Sequence, residues 1–270
     1  MLGIIGGSGL CDQDTFKVIE TVRVNGASDK ISLCSYTRVS GAEATLAFLP
    51  RHGAGHQLAP HQIPYRANIA ALAALGVTKI IATCIAGSLR RRIRPGDLVV
   101  PDQFIDLTWG RDEGPQELIH LPMGDPYCPR MRSLAATCGS RVGIQTHRRG
   151  TIAVIQGPRF STRAESRWYA RQGWDLVNMT ACPEAYLARE TRLCYTTLAM
   201  IADHDVGVGG HHRASFSHRA PVTPVLEIFR RNIGVLKDLL GVLVPLVPVE
   251  ESCSCAFPMP PEYYKQLAMP

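Results

Sequence analysis

Seven apolar runs of strand length punctuate the chain: LGIIG (2–6), EATLAFL (43–49), KIIATCIA (79–86), DLVVPDQFI (97–105), TIAVIQ (151–156), DLVNM (175–179) and CYTTLAMIA (194–202). Several show no polar alternation, which is the pattern of strands covered on both faces. Helical patterns separate them, at 61–76, 127–139, 162–173 and 183–192, with an amphipathic stretch over 223–243. Gly76 and Gly173 stand where a helix stops, and Pro183 suits a first turn. Strands alternating with helices predict an α/β fold: a single domain over 1–248, with a mixed central β-sheet flanked by helices. The segment 249–270, with four prolines, reads as a tail, and no internal repeat is evident.

Composition narrows the function classes. The 270 residues are 46% hydrophobic and 19% charged, an ordinary globular balance. No run approaches the roughly 20 apolar residues of a membrane helix, and the first residues lack a basic segment followed by a long apolar core. A cytoplasmic protein without a membrane partner is therefore expected. The net charge of +6 is modest, and its densest run, Arg90–Arg92 with Arg94, has no interleaved aromatics. A solvated turn accounts for it better than a nucleic-acid surface. Most of the nine cysteines lie in apolar runs and read as buried thiols of a reducing compartment. Cys253 and Cys255 form a Cys-Ser-Cys in the tail with no further metal ligands near them in sequence, so no metal site is expected.

The chemistry collects where the apolar runs end. In AMIADHDVG (199–207), Asp203 and Asp205 stand one residue apart after a buried run. A solvated turn has the same composition. In extended backbone, however, both acids share one face, and two carboxyls that close do not ionise independently. One then holds its proton to higher pH, giving a donor and an acceptor side by side for a heterocycle. Ligands of open α/β sheets bind outside the carboxyl ends of the strands. The other runs end in GGSGL, PRHGAGH, GSLR, GPRFSTR and MT: small hydroxyls, approachable N–H groups, a fixed cation and an aromatic. Gly6, Gly7 and Gly9 around Ser8 suit an anion, although the Rossmann fingerprint and the P-loop lysine are both absent. Arg51 with His52 strengthens the anion reading, and Thr180 offers one more hydroxyl.

In this order, GIIGGSGL, RHGAGH with PHQIPYRANIAAL, AGSL with RPGDLVVPDQFIDLT, GPRFSTRAES, NMT and ADHDVG resemble the trimeric purine nucleoside phosphorylase family, specifically its 5'-methylthioadenosine phosphorylase branch. The match covers roughly residues 3 to 243. It implies phosphorolysis of 5'-deoxy-5'-methylthioadenosine to adenine and 5-methylthioribose 1-phosphate, with inorganic phosphate as co-substrate and no metal or organic cofactor. By the same resemblance, Ser8, Arg51, His52 and Thr180 are phosphate ligands. Met179 meets the ribose, Phe160 lies against the purine, and Ile85 and Ala86 belong to the substrate pocket. Asp203 serves N7 and Asp205 the exocyclic amine. His120 is lent by a neighbouring subunit to the 5' end of the sugar, close to His56, so a homotrimer, or a hexamer built of two, is expected.

Some positions depart from the family pattern. Cys84 stands where a hydroxyl or amide is usual, and a thiol is a poorer donor. Ala202 replaces a common Thr, and His211, His212 and His218 occupy a Gly-rich stretch, 207–221, that reads as a lid. Other readings are a phosphorylase for adenosine or another 5'-modified adenosine (a 5'-halo-5'-deoxyadenosine, for example), a nucleoside-binding protein without activity, a water-using nucleosidase and a metal-dependent hydrolase.

Overall fold

Strand β1 (Leu2–Gly6) is buried at every position and feeds two cores. Leu2 and Ile4 pack with Leu98, Met131, Leu236 and Leu239, whereas Ile5 packs with Ile69, Leu72 and Ala185. Successive side chains of a strand point to opposite faces, so an unbroken apolar run requires cover on both. The computed structural model describes residues 1–7, 10, 16–53, 55–111, 120–208, 222–248 and 253–256.

After β1 come β2 (Lys17–Val22), β3 (Ile31–Thr37), β4 (Glu43–Pro50), α1 (Tyr65–Ala74), β5 (Lys79–Ser88), β6 (Leu98–Val99) and β7 (Gln103–Leu107). The second half holds α2 (Pro129–Arg141), β8 (Thr146–His147), β9 (Thr151–Ile155), α3 (Arg163–Arg171), β10 (Leu176–Asn178), α4 (Ala181–Glu190), β11 (Cys194–His204) and α5 (Val222–Leu243). The sheet runs β2-β3-β4-β1-β5-β10-β9-β7, with β11 also paired to β5 and to β6, which in turn pairs with β8. It is mixed, as expected: β5 lies parallel to β1 and β11 but antiparallel to β10. Helices α2 and α5 cover one face, α1 and α4 the other.

Several boundaries differ from the sequence reading. The run 97–105 is two strands, because Pro101 lacks the N–H that a continuous ladder needs. They pair differently, β6 with β11 and β7 with β9. The β2–β3 hairpin was not expected, since β2 is largely exposed and carries too few apolar residues to stand out. The pattern at 61–76 divides into a 3-10 turn, Pro60–Gln62, and α1. Helix α2 continues two residues beyond the expected end at Gly139. Helix α4 starts ahead of Pro183, and Cys182 before that proline takes an extended conformation (φ −118, ψ 138), as steric contact with the ring requires. Gly76 and Gly173 do follow their helices, at φ +80 and +93.

Part of the tail belongs to the fold. Ser254–Ala256 forms a 3-10 turn, and Cys255 is 4% exposed in the same core cluster as α5. Most of the expected lid, 209–221, and the tail residues 249–252 and 257–270 lie outside the described residues.

The long helix α5 sets Leu239, fully buried, against Val242, 37% exposed. We expect Leu239→Ala to lower unfolding free energy by about 2–5 kcal/mol in urea titrations, and Val242→Ala to change it by less than about 1 kcal/mol.

Candidate active site

β11 runs parallel to β5 from Cys194 opposite Lys79 to His204 opposite Ser88, with one register shift between Ile201 and Asp203. Ala202 is the extra residue of this bulge, so Ile201 stands opposite Ala86 and Asp203 opposite Gly87. Neighbouring residues of β5 face opposite sides, and the bulge therefore turns Asp203 away from the face that Ile201 takes. Gly87 lies directly beside both acids. A Cβ at that position would lie 3.4 Å from Asp203 Oδ1 and 3.6 Å from Asp205 Cβ. Asp205 is fixed by its own N–H, which donates to the Ser88 carbonyl at 2.9 Å.

Both acids line a cavity of about 390 Å³, a size suited to a small-molecule ligand. Gly7, Arg51, His52, His56 and Thr180 border the same cavity. So do Ile85, Ala86, Phe160 and Met179, the last two from the loops after β9 and β10. Ser8 and Gly9 lie outside the described residues. His120 is exposed and does not border the cavity of its own chain.

The acids are unequal. Burial first, and then the charge of Asp205, pushes Asp203 up to about 7. Burial also raises Asp205, with the neighbouring Ser166 hydroxyl acting against it. Near neutral pH the pair therefore shares a proton, which makes a donor beside an acceptor. Asp205 and Ser161 line the cavity, and the buried Asp205 Oδ2 has no hydrogen-bond partner among the described residues. Such an atom asks for a polar ligand. Ser161 and Ser166 are positioned by α3, whose start is a reciprocal cap: Thr162 Oγ1 accepts from the Glu165 N–H, and Glu165 Oε2 accepts from the Thr162 N–H.

Arg51 is more committed than its sequence context suggests. Its Nε and one terminal nitrogen grip Glu184 in a bidentate pair, both at 2.8 Å, and the other terminal nitrogen donates to the Thr83 carbonyl at 2.8 Å. Burial alone would weaken the guanidinium charge, yet the Glu184 carboxylate holds it above its ordinary range. Tyr195 completes this buried group by donating to Glu184 at 2.7 Å. The fork expected to clasp an anion thus faces Glu184, and only the remaining terminal N–H groups are left for a ligand. In the sequence Glu184 reads as an ordinary helix residue, and the Pro-Glu at 183–184 is the one cue to it.

His52 is 9% exposed, stacks on His56 with ring centroids 4.1 Å apart, and is bonded through Nδ1 to the Leu58 carbonyl at 2.8 Å. Burial pushes it down to about 4; the Leu58 bond opposes that, and Arg51 adds to it. A carbonyl only accepts, so Nδ1 carries the proton of the neutral ring, and His52 donates to an anion from Nε2 only as imidazolium. Thr180 is the N-cap residue of α4, but its hydroxyl makes no cap bond; Asn178 Oδ1 instead accepts from the Thr180 and Ala181 N–H groups at 2.6 and 2.7 Å. Cys84 is buried at the cavity, and burial pushes its thiol up to about 12, so it stays neutral. Arg111, also not singled out by sequence, fastens the loops behind the cavity by donating to the carbonyls of Met179 at 2.6 Å, Cys182 at 3.1 Å and Ile155 at 3.1 Å.

The tail thiols correct another expectation. Cys253 and Cys255 are not an isolated pair, because the fold brings them to Cys128 and Cys194, far from both in sequence.

Residues 2–234 match the family model of the phosphorylase superfamily. An S-methyl-5'-thioadenosine phosphorylase of Thermofilum pendens is 40% identical, with 94% of this chain and 95% of that protein covered. One of Mycolicibacterium smegmatis is 42% identical, covering 94% of each. Among solved structures, the Schistosoma mansoni methylthioadenosine phosphorylase in complex with adenine superposes with a TM-score of 0.81 at 34% identity, covering 98% of this chain and 96% of that one.

An acid whose native pKa is raised to about 7 ionises first in the unfolded chain, so folding becomes less favourable as pH climbs from about 4 to 7. Asp203→Asn removes that burden. We expect its stability to equal the parent's near pH 4 and to exceed it increasingly up to pH 7, as read from urea midpoints across this range.

Proposed function

Since the chain belongs to the phosphorylase superfamily, among the S-methyl-5'-thioadenosine phosphorylases, we propose that it catalyses phosphorolysis of 5'-deoxy-5'-methylthioadenosine to adenine and 5-methylthioribose 1-phosphate. The observation that carries the reading is that Gly7, Arg51 and Thr180 border the same cavity as the unequal acids Asp203 and Asp205.

The hard step is expulsion of a purine anion from C1'. As the C1'–N9 bond breaks, a phosphate oxygen forms the new bond to C1', and the sugar between them takes on oxocarbenium character. Asp203, protonated through much of the range below pH 7, gives its proton to N7, so the base leaves neutral. The proton carried in by hydrogen phosphate restores the pair, which balances the reaction. Asp205, in the same cavity lining, accepts from the 6-amino group through a carboxylate oxygen. A 6-oxo purine would meet that oxygen lone pair to lone pair, and such a mismatch in a buried polar site discriminates strongly. Phosphate is the co-substrate, bound near Ser8, Arg51, His52 and Thr180, and the reaction uses no cofactor. Phe160 covers the purine, the Met179 backbone meets the ribose, and Ile85, Ala86 and His56 shape the pocket. His120 acts in a neighbouring subunit of a homotrimer, a role that fits its exposure and its place outside the lining of its own chain's cavity. Such an enzyme belongs to purine salvage in the cytoplasm.

Adenine release from methylthioadenosine, followed with and without phosphate, tests the reaction: release is expected only with phosphate, and equal release without it would indicate hydrolysis. Asp205→Asn should lower kcat/KM for methylthioadenosine by about 100-fold or more while reducing the preference over methylthioinosine. Cys84→Thr, which replaces a weak donor with a hydroxyl, should lower KM for phosphate with little change in KM for the nucleoside.

A further inference from the structure

At the end of β11 away from the cavity, four thiols converge. Cys128 occupies the N-cap of α2, Cys194 opens β11, and Cys253 and Cys255 flank Ser254 in the tail. Their sulfurs all lie within 4.8 Å of one another, with Cys128 and Cys253 at 3.7 Å and Cys253 and Cys255 at 3.6 Å. Cys128, Cys194 and Cys255 are at most 4% exposed, and Cys253 is half-buried. The site is held by backbone: the Cys128 N–H donates to the Tyr195 carbonyl at 2.8 Å, and the Cys194 N–H donates to the Thr78 carbonyl at 3.0 Å.

We propose that these four cysteines form a closed tetrahedral thiolate site for a structural zinc ion. A zinc ion about 2.3 Å from each of four sulfurs places the sulfurs about 3.8 Å apart, close to the 3.7 and 3.6 Å separations of Cys253 from Cys128 and Cys255. A disulfide would bring a pair to about 2.05 Å, and none of the four is so joined. An all-sulfur set excludes the hard, oxygen-seeking cations and selects zinc or iron. Four protein ligands leave zinc no open position for water or substrate, so the ion is structural. Eight residues of strand β11 also lie between Cys194 and Asp203, a span of roughly 30 Å. The ion's work is to tie the tail to the start of α2 and the start of β11, three segments distant in sequence. This inference is independent of the reaction at the other end of the strand.

The test uses the full chain, purified with reducing agent and without chelator. Elemental analysis should give about one zinc per chain, and mercurial titration of the thiols should release it. The Cys253→Ser/Cys255→Ser variant should lose the metal, whereas Cys138→Ala, at a free buried thiol outside the cluster, should keep it. Replacing zinc with Co²⁺ should give the intense visible bands and sulfur-to-metal charge transfer of tetrahedral thiolate coordination, a readout that needs no variant to fold. Three results would overturn the proposal: four titratable thiols with no metal, an intact mass lower by four hydrogens showing two disulfides, or zinc retained in the double serine variant.

Discussion

The pairing of β5 with β11 is the constraint on which the rest depends. These strands run side by side from Lys79 and Cys194 to Ser88 and His204, and their apolar residues supply both cores. At one end the single bulge at Ala202 delivers Asp203 against Gly87. A Cβ at 87 would already be in van der Waals contact with both acids, so this position adjoins the space they use. The same ladder that closes the core therefore sets the separation and direction of the groups that do the chemistry. Loops after β9 and β10 add the aromatic and the hydroxyl, and Arg111 ties those loops together.

Burial does the electrostatic work, in opposite senses at different groups. At Arg51 it is countered by Glu184, so a charge persists at a place nearly closed to water. At Asp203 it is reinforced by a second acid, so a charge is delayed. At His52 it removes the charge, leaving a neutral ring anchored on a carbonyl. A site with a fixed cation, a shared proton and a neutral imidazole suits an incoming anion and a leaving base that must be neutralised. Holding a carboxyl protonated works against folding, a conflict between stability and function common in active sites.

The legible part of the sequence was whatever one segment could express alone. Buried strands declared themselves as unbroken apolar runs, and the acids as a pair at the end of one. The illegible part was what required two segments. Glu184 looks like any helix glutamate until Arg51 is beside it, and the tail thiols lack ligands until the fold brings Cys128 and Cys194 to them. The β2–β3 hairpin was hidden because an exposed edge needs little apolar character. The split of 97–105 was written in Pro101, but the apolar residues on either side outweighed it.

The central claim is that the two acids at the end of β11 read the edge of adenine in the cavity that also takes phosphate. A crystal structure with adenine and phosphate bound tests it most directly. The account predicts N7 about 3 Å from an Asp203 oxygen, the 6-amino group about 3 Å from Asp205, and phosphate against Arg51 and Thr180 in the same cavity. Adenine bound with its N7 edge turned away from both acids, or phosphate bound outside this cavity, would contradict it.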